Sequence, residues 1–323
     1  MHSEQDYLNL IDRHFPSRLD TLDTVQLGRG DDCAILGING FACVSSDLFL
    51  DGVHFRRSYF SPSDIGHKAL AVNLSDIAAM GGVPRAFSLD LMVPEGLGFD
   101  FWGQFLTGMA KLAAAYEVVL VGGDLSRSPI LGTSIHIWGE PGPSGRLLTR
   151  SAAQPGDLLV VAGHLGLARV GLHMLEVKGT AAIHDYPLST NQHLRPRPRV
   201  AEGLILAANA EVHAMMDLSD GLARDLPRLL AASGNLGARL AITDGTLHDE
   251  VRRFSERQGV APELTAMLGG EDYGLLAALS PEALRDAQRD IPRLEVIGVV
   301  TQEPGILLND RPYANAGFDH FGE

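Results

Sequence analysis

The chain has 323 residues, 45% of them hydrophobic and 20% charged, which are the proportions of a folded globular protein and exclude wholesale disorder. Its 26 lysines and arginines against 40 aspartates and glutamates leave a net charge of −14, and an acidic surface repels phosphate backbones, which argues against a nucleic-acid partner. No apolar run approaches the roughly 20 residues that a membrane-spanning helix needs, so no membrane association is expected.

The N-terminus, Met1-His2-Ser3-Glu4-Gln5-Asp6, lacks the basic start and apolar core of a secretory signal. The two cysteines, Cys33 and Cys43, form no metal-ligand pattern and suit a reducing compartment. The expectation is a cytoplasmic protein. Phe41–Ser45 and Ala86–Val93 read as strands. Between them, Ser61-Pro62-Ser63-Asp64 predicts a helix start, with Ser61 as cap, Pro62 in the first turn and Asp64 three residues on. That helix runs to Met80, where Gly81-Gly82 stops it and Pro84 prevents resumption. Phe101, Phe105, Met109, Leu112 and Tyr116 recur at spacings of three and four and predict a second helix. Val118–Val121 and Ile130–Trp138 read as strands.

Two turn-rich breaks follow, at Pro141–Gly145 and Gln154–Asp157. The domain boundary is expected between them, giving domains 1–150 and 151–323, in line with about 150 residues per domain. In the second half, Leu158–Ala162 reads as a strand and Leu165–Val177 as a helix. His184–Arg199, with Pro187, Pro196 and Pro198, reads as an extended loop. Helices are expected at Val200–Ala210 and Leu222–Ala232, and strands at Tyr273–Leu279 and Leu294–Val300. Mixed strands and helices in both halves indicate α/β or α+β layers.

The acids carry the chemical signal. Asp31-Asp32 follow Gly28-Arg29-Gly30, Asp47 follows Ser45-Ser46, and Asp76 lies in an otherwise apolar helix. Asp124 follows Gly122-Gly123, Asp217 and Asp220 flank Ser219, and Glu271-Asp272 follow Gly269-Gly270. Each taken alone reads as a turn or cap residue. Asp76 fits that reading least, because a carboxylate amid Leu74, Ile77 and Ala78 is costly unless paired or metal-bound. If these acids share a cleft, they need cations, since two like charges 4 Å apart repel by roughly 4 kcal/mol at an effective dielectric of 20. Oxygen ligands without matched His or Cys point to Mg²⁺ or Ca²⁺ over zinc, and the calcium-loop pattern is absent. No GxxxxGK[ST] occurs, the Gly28–Cys33 run departs from the dinucleotide fingerprint, and the protein-kinase signatures are missing. A nucleotide would therefore be held through metal and acids. Lys68 and Arg150 read as solvated side chains, His54 as a structural histidine and Tyr116 as core.

Taken in order, the motifs resemble the thiamine-monophosphate kinase family of the aminoimidazole-ribonucleotide-synthetase-like superfamily. The stretches are Gly30–Ala34, Ser46-Asp47 with Gly52–Phe55, Lys68–Gly81, Val121–Asp124, Leu148–Ser151, Pro155–Asp157, Arg195–Arg199, Asp217–Leu222, Gly269–Tyr273 and Gly317–Phe321. The resemblance implies a two-domain α/β (α+β) architecture, with an N-terminal domain that pairs strands across a homodimer and a C-terminal α/β domain completing a cleft. It implies several Mg²⁺ ions on Asp32, Asp47, Asp76, Asp124, Asp217 and Asp220, with Ser45 and Ser46 adjoining. ATP is expected at Tyr116, Gly123, Asp124, Arg150 and Ser219, and thiamine monophosphate at His54, Glu271 and Phe318. It revises His54 and Tyr116 from structural to functional. No general base is expected. Leu48 and Leu125-Ser126 stand where the family usually has threonines. A sister enzyme such as aminoimidazole-ribonucleotide synthetase, or a non-catalytic nucleotide-binding paralogue, is the competing reading.

Overall fold

The structure is a computed structural model that describes residues 3–16, 24–27, 29, 34–38 and 40–313. The chain divides into two compact units, Met1–Ile77 with Val83–Pro141 and Ala78–Gly82 with Gly142–Glu323. The main chain leaves the first unit at Pro141, in the first of the two Pro/Gly breaks. Among the described residues no helix is long and apolar enough to cross a membrane.

The first unit contains α1 (Glu4–His14), β1 (Val25–Leu27), β2 (Ile35–Leu36), β3 (Cys43–Leu50), α2 (Pro62–Ala79), β4 (Gly82–Val93), α3 (Phe99–Ala115), β5 (Val119–Gly122), β6 (Leu125–Arg127) and β7 (Gly132–Pro141). Its five-stranded sheet runs β3-β7-β4-β5, with β6 also paired to β4. The expected cap of α2 is present: the Ser61 amide and hydroxyl both donate to the Asp64 carboxylate, and the Asp64 amide donates back to Ser61 Oγ. In α3 the buried stripe is Trp102, Phe105, Leu106, Met109 and Leu112, one residue out of phase at its start from the sequence reading. Helices α2 and α3 cross in backbone contact, because a Cβ at Gly66 would lie 1.9 Å from the Phe105 carbonyl oxygen. Helix α1, which periodicity did not reveal, packs Tyr7 edge-on to Trp102.

The second unit contains β8 (Leu158–Ala162), α4 (Leu167–Lys178), α5 (Ala182–Asp185), α6 (Pro187–Leu194), α7 (Val200–Ala208), β9 (Val212–Asp217), α8 (Leu222–Ala232), β10 (Gly237–Leu240), α9 (Asp249–Gln258), α10 (Pro262–Met267), β11 (Leu275–Leu279), α11 (Pro281–Asp290), β12 (Leu294–Thr301), β13 (Gly305–Leu308) and β14 (Arg311–Pro312). Its sheet runs β14-β13-β10-β12-β8-β11-β9. Interior β11, next to the edge strand β9, is buried along its whole length, so it reads as a continuous apolar run, as a strand covered on both faces should. The register aligns Asp217, Leu275, Ala162 and Leu294 across four strands. That row brings the end of β9, the turn before β11 and the loop after β8 to one end of the sheet.

The extended loop expected over 184–199 is not there. The segment forms α5 and α6. Pro187 occupies the first helical position of α6, where its missing N–H satisfies nothing anyway and its fixed φ suits the helix. Tyr186 and the stretch around Pro196 and Pro198 stay outside helix.

Candidate active site

In the first unit the pleat of β3 sorts the predicted ligands. Side chains alternate across a strand, so Ser45 and Asp47 share the half-buried face while Val44, Ser46 and Leu48 lie on the exposed one. Ser46 is therefore not gathered with its neighbours. Asp76 comes to the inner face from α2, and Ser45 Oγ donates to Asp76 Oδ2 at 2.5 Å. Asp47 faces Asp76 as well. Burial first, then the Asp76 charge and a hydrogen bond with Asp76, push the Asp47 carboxyl up to about 7. Two carboxyl groups and a hydroxyl thus converge where both acids resist ionising together. A hard divalent cation relieves that conflict, and the donor set is all oxygen, as Mg²⁺ prefers. Among the described residues no three His, Cys, Asp or Glu side chains are grouped as a metal site.

The other predicted residues of this unit are placed as follows. Asp124 is exposed in the jog between β5 and β6, both of which pair in parallel with β4. Gly123 makes that jog possible: its φ is +145° and a Cβ would meet the Leu89 carbonyl oxygen at 1.9 Å. Tyr116 is the half-buried C-cap of α3. His54 accepts the Leu50 amide at Nδ1, 3.0 Å away, and stacks on Phe49. An accepting Nδ1 fixes the neutral ring with its proton on Nε2, so Nε2–H is the donor His54 presents. Lys68, read from sequence as solvated, is fully buried on the face of α2 that also carries Val72 and Asp76, with Nζ 5.4 Å from the Phe60 ring. Asp32 and Phe318 lie outside the described residues.

In the second unit, Asp217 is buried at the end of β9, and Ser219 and Asp220 are half-buried in the turn that follows. Sequence reading missed what holds this turn. Asp225, fully buried in the first turn of α8, accepts the Asp220 and Gly221 amides, both at 3.0 Å. Arg228 then bridges Asp225 at 2.8 Å and Asp220 at 2.7 Å. Burial, and next the Asp220 charge, push Asp225 up to about 6, against the pull of Arg228 and the two amides. The signal was available: Asp225 shares the apolar stripe of Leu222, Leu226 and Leu229, as Asp76 does on its own helix. Arg150 is exposed and its carbonyl accepts Ser233 Oγ.

Glu271 stands directly against this turn, its amide donating to the Ser219 carbonyl at 2.7 Å. Glu271 and Tyr273 both adopt positive φ, +62° and +46°, a conformation that persists in non-glycine residues only where the surroundings over-determine it. Asp272 between them is fully enclosed and caps α4, accepting the Gly166 and Ala168 amides. Burial pushes its carboxyl up to about 7, and the two amides pull it back.

Residues 30–139 match the family described as AIR synthase related protein, N-terminal domain, and residues 154–309 match its C-terminal domain. The thiamine-monophosphate kinase of Haemophilus influenzae is 32% identical over 329 residues, spanning 98% of each chain. This chain belongs to the thiamine-monophosphate kinases of the AIR synthase related family. The architecture agrees. A thiamine-monophosphate kinase from Stenotrophomonas maltophilia superposes with a TM-score of 0.83 at 32% identity, covering 96% of this chain and 98% of that one. AaThiL complexed with AMPPCP and TMP superposes with a TM-score of 0.75 at 28% identity, covering 99% of both. The two-domain AIR-synthase-like fold and the family expected from the motif order are both borne out.

Proposed function

We propose that this chain transfers the γ-phosphoryl group of ATP to thiamine monophosphate, giving ADP and thiamine diphosphate. The observation that carries the reading is the match along nearly the whole chain to kinases named for that substrate, one fold neighbour being a complex with AMPPCP and TMP. The acceptor is itself a phosphate monoester, whose second pKa is about 6, so its attacking oxygen is already anionic near neutral pH. No side chain need remove a proton. A bond forms between that oxygen and the γ-phosphorus as the bond from the γ-phosphorus to the β-bridging oxygen breaks. Positioning two polyanions is what remains for the protein to do.

In the first unit Asp47 and Asp76, with Ser45 beside them, and Asp124 are the residues proposed to hold Mg²⁺. Asp32 joins them by motif. In the second unit the proposed ligands are Asp217 and Asp220. The close Asp47–Asp76 pair supports this reading. Bound there, Mg²⁺ neutralises phosphate charge. Tyr116, Gly123, Arg150 and Ser219 are proposed to contact the nucleotide. His54, through Nε2–H, Glu271 as a carboxylate facing a cationic substrate, and Phe318 by stacking are proposed for thiamine monophosphate. A cytoplasmic location is part of the same proposal.

A second copy of the chain is proposed against β3. Among the described residues this strand is at the edge of its sheet, and Val44 and Leu48 on its outer face are 61% and 54% exposed. Unpaired, apolar edges of this kind are otherwise avoided.

The deciding experiment supplies the purified protein with Mg-ATP and thiamine monophosphate and separates the products. ADP and thiamine diphosphate in equal amounts are expected. Turnover only with an aminoimidazole-ribonucleotide precursor would point to the sister enzyme, and ATP binding without turnover to a non-catalytic paralogue.

A further inference from the structure

The turn that carries Glu271 is gripped from below by α6, the helix hidden in a proline-rich segment. Gln192 Nε2 donates to the Asp272 carbonyl at 2.7 Å. One residue on, His193 lies with Nδ1 3.0 Å from Glu271 Oε2. The two partners differ sharply in setting: the His193 side chain is 2% exposed and that of Glu271 is 26% exposed. His193 is therefore inside the unit and the carboxylate is at its surface, with one oxygen turned inward.

His193 is almost wholly buried. Its Cβ packs close to Gly171 of α4, where an added Cβ would come within 3.1 Å of it, and the Ser189 carbonyl blocks the same spot at 2.0 Å. Helices α4 and α6 are thus in backbone contact beside His193. The Glu271 backbone is held independently through the Ser219 carbonyl, and Asp272 is tied to the start of α4. The main chain of the turn is consequently fixed without His193. The His193 contact reaches the Glu271 side chain, not its backbone.

We propose that His193 is a positioning residue for the acceptor substrate: contacting Glu271 from within, it holds the carboxylate in the orientation that meets thiamine monophosphate. This rests on the reading of Glu271 as a substrate contact. A glutamate side chain freed from such a partner must be ordered anew each time substrate binds, a cost that weakens binding by several-fold to about tenfold. The loss falls on the acceptor, because the Ser219 side of the turn is held by backbone bonds that His193 does not make.

The test is steady-state kinetics on the intact enzyme for wild type, His193→Phe, His193→Gln, Glu271→Gln and the double variant Glu271→Gln/His193→Phe. His193→Phe is expected to raise KM for thiamine monophosphate about tenfold, leaving kcat and KM for ATP within about twofold. His193→Gln, which keeps a donor, should recover most of the loss. The double variant should be no worse than Glu271→Gln alone. Should His193→Phe be insoluble, His193→Ser, too short to reach Glu271, gives the same contrast with His193→Gln. An unchanged KM in the His193 variants, with KM raised in Glu271→Gln, overturns the proposal while leaving the substrate reading intact. So does an additive double variant, or a fall in kcat together with a rise in both KM values, since either marks a merely structural role. An unchanged KM in Glu271→Gln overturns the substrate reading and this proposal with it.

Discussion

Replacing Asp76 with asparagine should make the metal-free protein more stable and the enzyme inactive. Asp47 has its carboxyl raised from 3.8 to about 7. That is about three pKa units, or about 4 kcal/mol at roughly 1.4 kcal/mol per unit. Below pH 3.8 Asp47 is protonated folded or unfolded and costs nothing. As pH climbs toward 7 the unfolded chain ionises first, so stability falls with rising pH, and the whole penalty is present above about pH 7. Burial is the largest cause and the Asp76 charge ranks next, ahead of the hydrogen bond, so the charge that asparagine removes accounts for less than half, about 1–2 kcal/mol. Asparagine removes that charge and keeps a carbonyl oxygen for Ser45. In EDTA near pH 8, Asp76→Asn should therefore melt roughly 2–8 °C above wild type, on a scale of about 2–4 °C per kcal/mol for a chain of this size. The gap should close as the buffer is brought down toward pH 4. With Mg²⁺ the order should reverse. Wild type gains about 2.7 kcal/mol at a hundredfold excess of free ion over its dissociation constant, whereas the variant, missing a ligand, gains much less and gives no thiamine diphosphate. Thermal melts with EDTA and with Mg²⁺ read all of this. A variant no more stable than wild type at pH 8 in EDTA, or one stabilised by Mg²⁺ as strongly as wild type, would refute the paired-carboxylate account.

Three further outcomes are expected. Gly123→Ala places a Cβ against the Leu89 carbonyl at a φ of +145° and should cost about 3 kcal/mol or more, seen as a lowered urea midpoint. Asp272→Ala strips the acceptors from the Gly166 and Ala168 amides at the start of α4 and should cost about 2 kcal/mol by the same measurement. Val44→Lys puts a charge on the exposed face of β3 and should convert a dimer to a folded monomer in light scattering; an unaltered mass would place the partner elsewhere.

Several parts of this molecule were legible before any coordinates because their signals are local. The Ser61–Asp64 box and the Gly81-Gly82 stop bracket α2 within a residue of its observed ends, and Leu222–Ala232 is α8 as read. Helix α2 is announced by its cap and α8 by its apolar stripe of Leu222, Leu226 and Leu229. Elsewhere local signals competed. Pro187 reads as a breaker but starts α6, because a proline has either meaning depending on whether its N–H position falls in the first turn. Helix α9 buries Val251 and Phe254 of its apolar residues on an otherwise charged sequence, too thin a stripe to stand out. Lys68 reads as solvated because lysine usually is, although it shares with Val72 and Asp76 the face of α2 that the cost of a carboxylate there already turns inward.

The candidate site divides along the same line. Of the predicted acids only Asp76 stands out by itself, since a carboxylate in an aliphatic stripe is costly wherever the chain goes, while the others read singly as turn residues. Their supports could not be found this way, because they are defined by which strand ends meet. Asp217, the β8–α4 loop and the turn before β11 lie far apart in sequence and become neighbours only through the register of Asp217 with Leu275 and of Leu275 with Ala162. Once that row exists, Asp272 can reach the start of α4, and Glu271 can rest on Ser219 and meet His193. A one-residue slip of β11 would turn its side chains to the opposite face and undo all three contacts without altering a single acid. The chemistry of this half of the site is thus written in residue types, but its geometry is a property of the sheet.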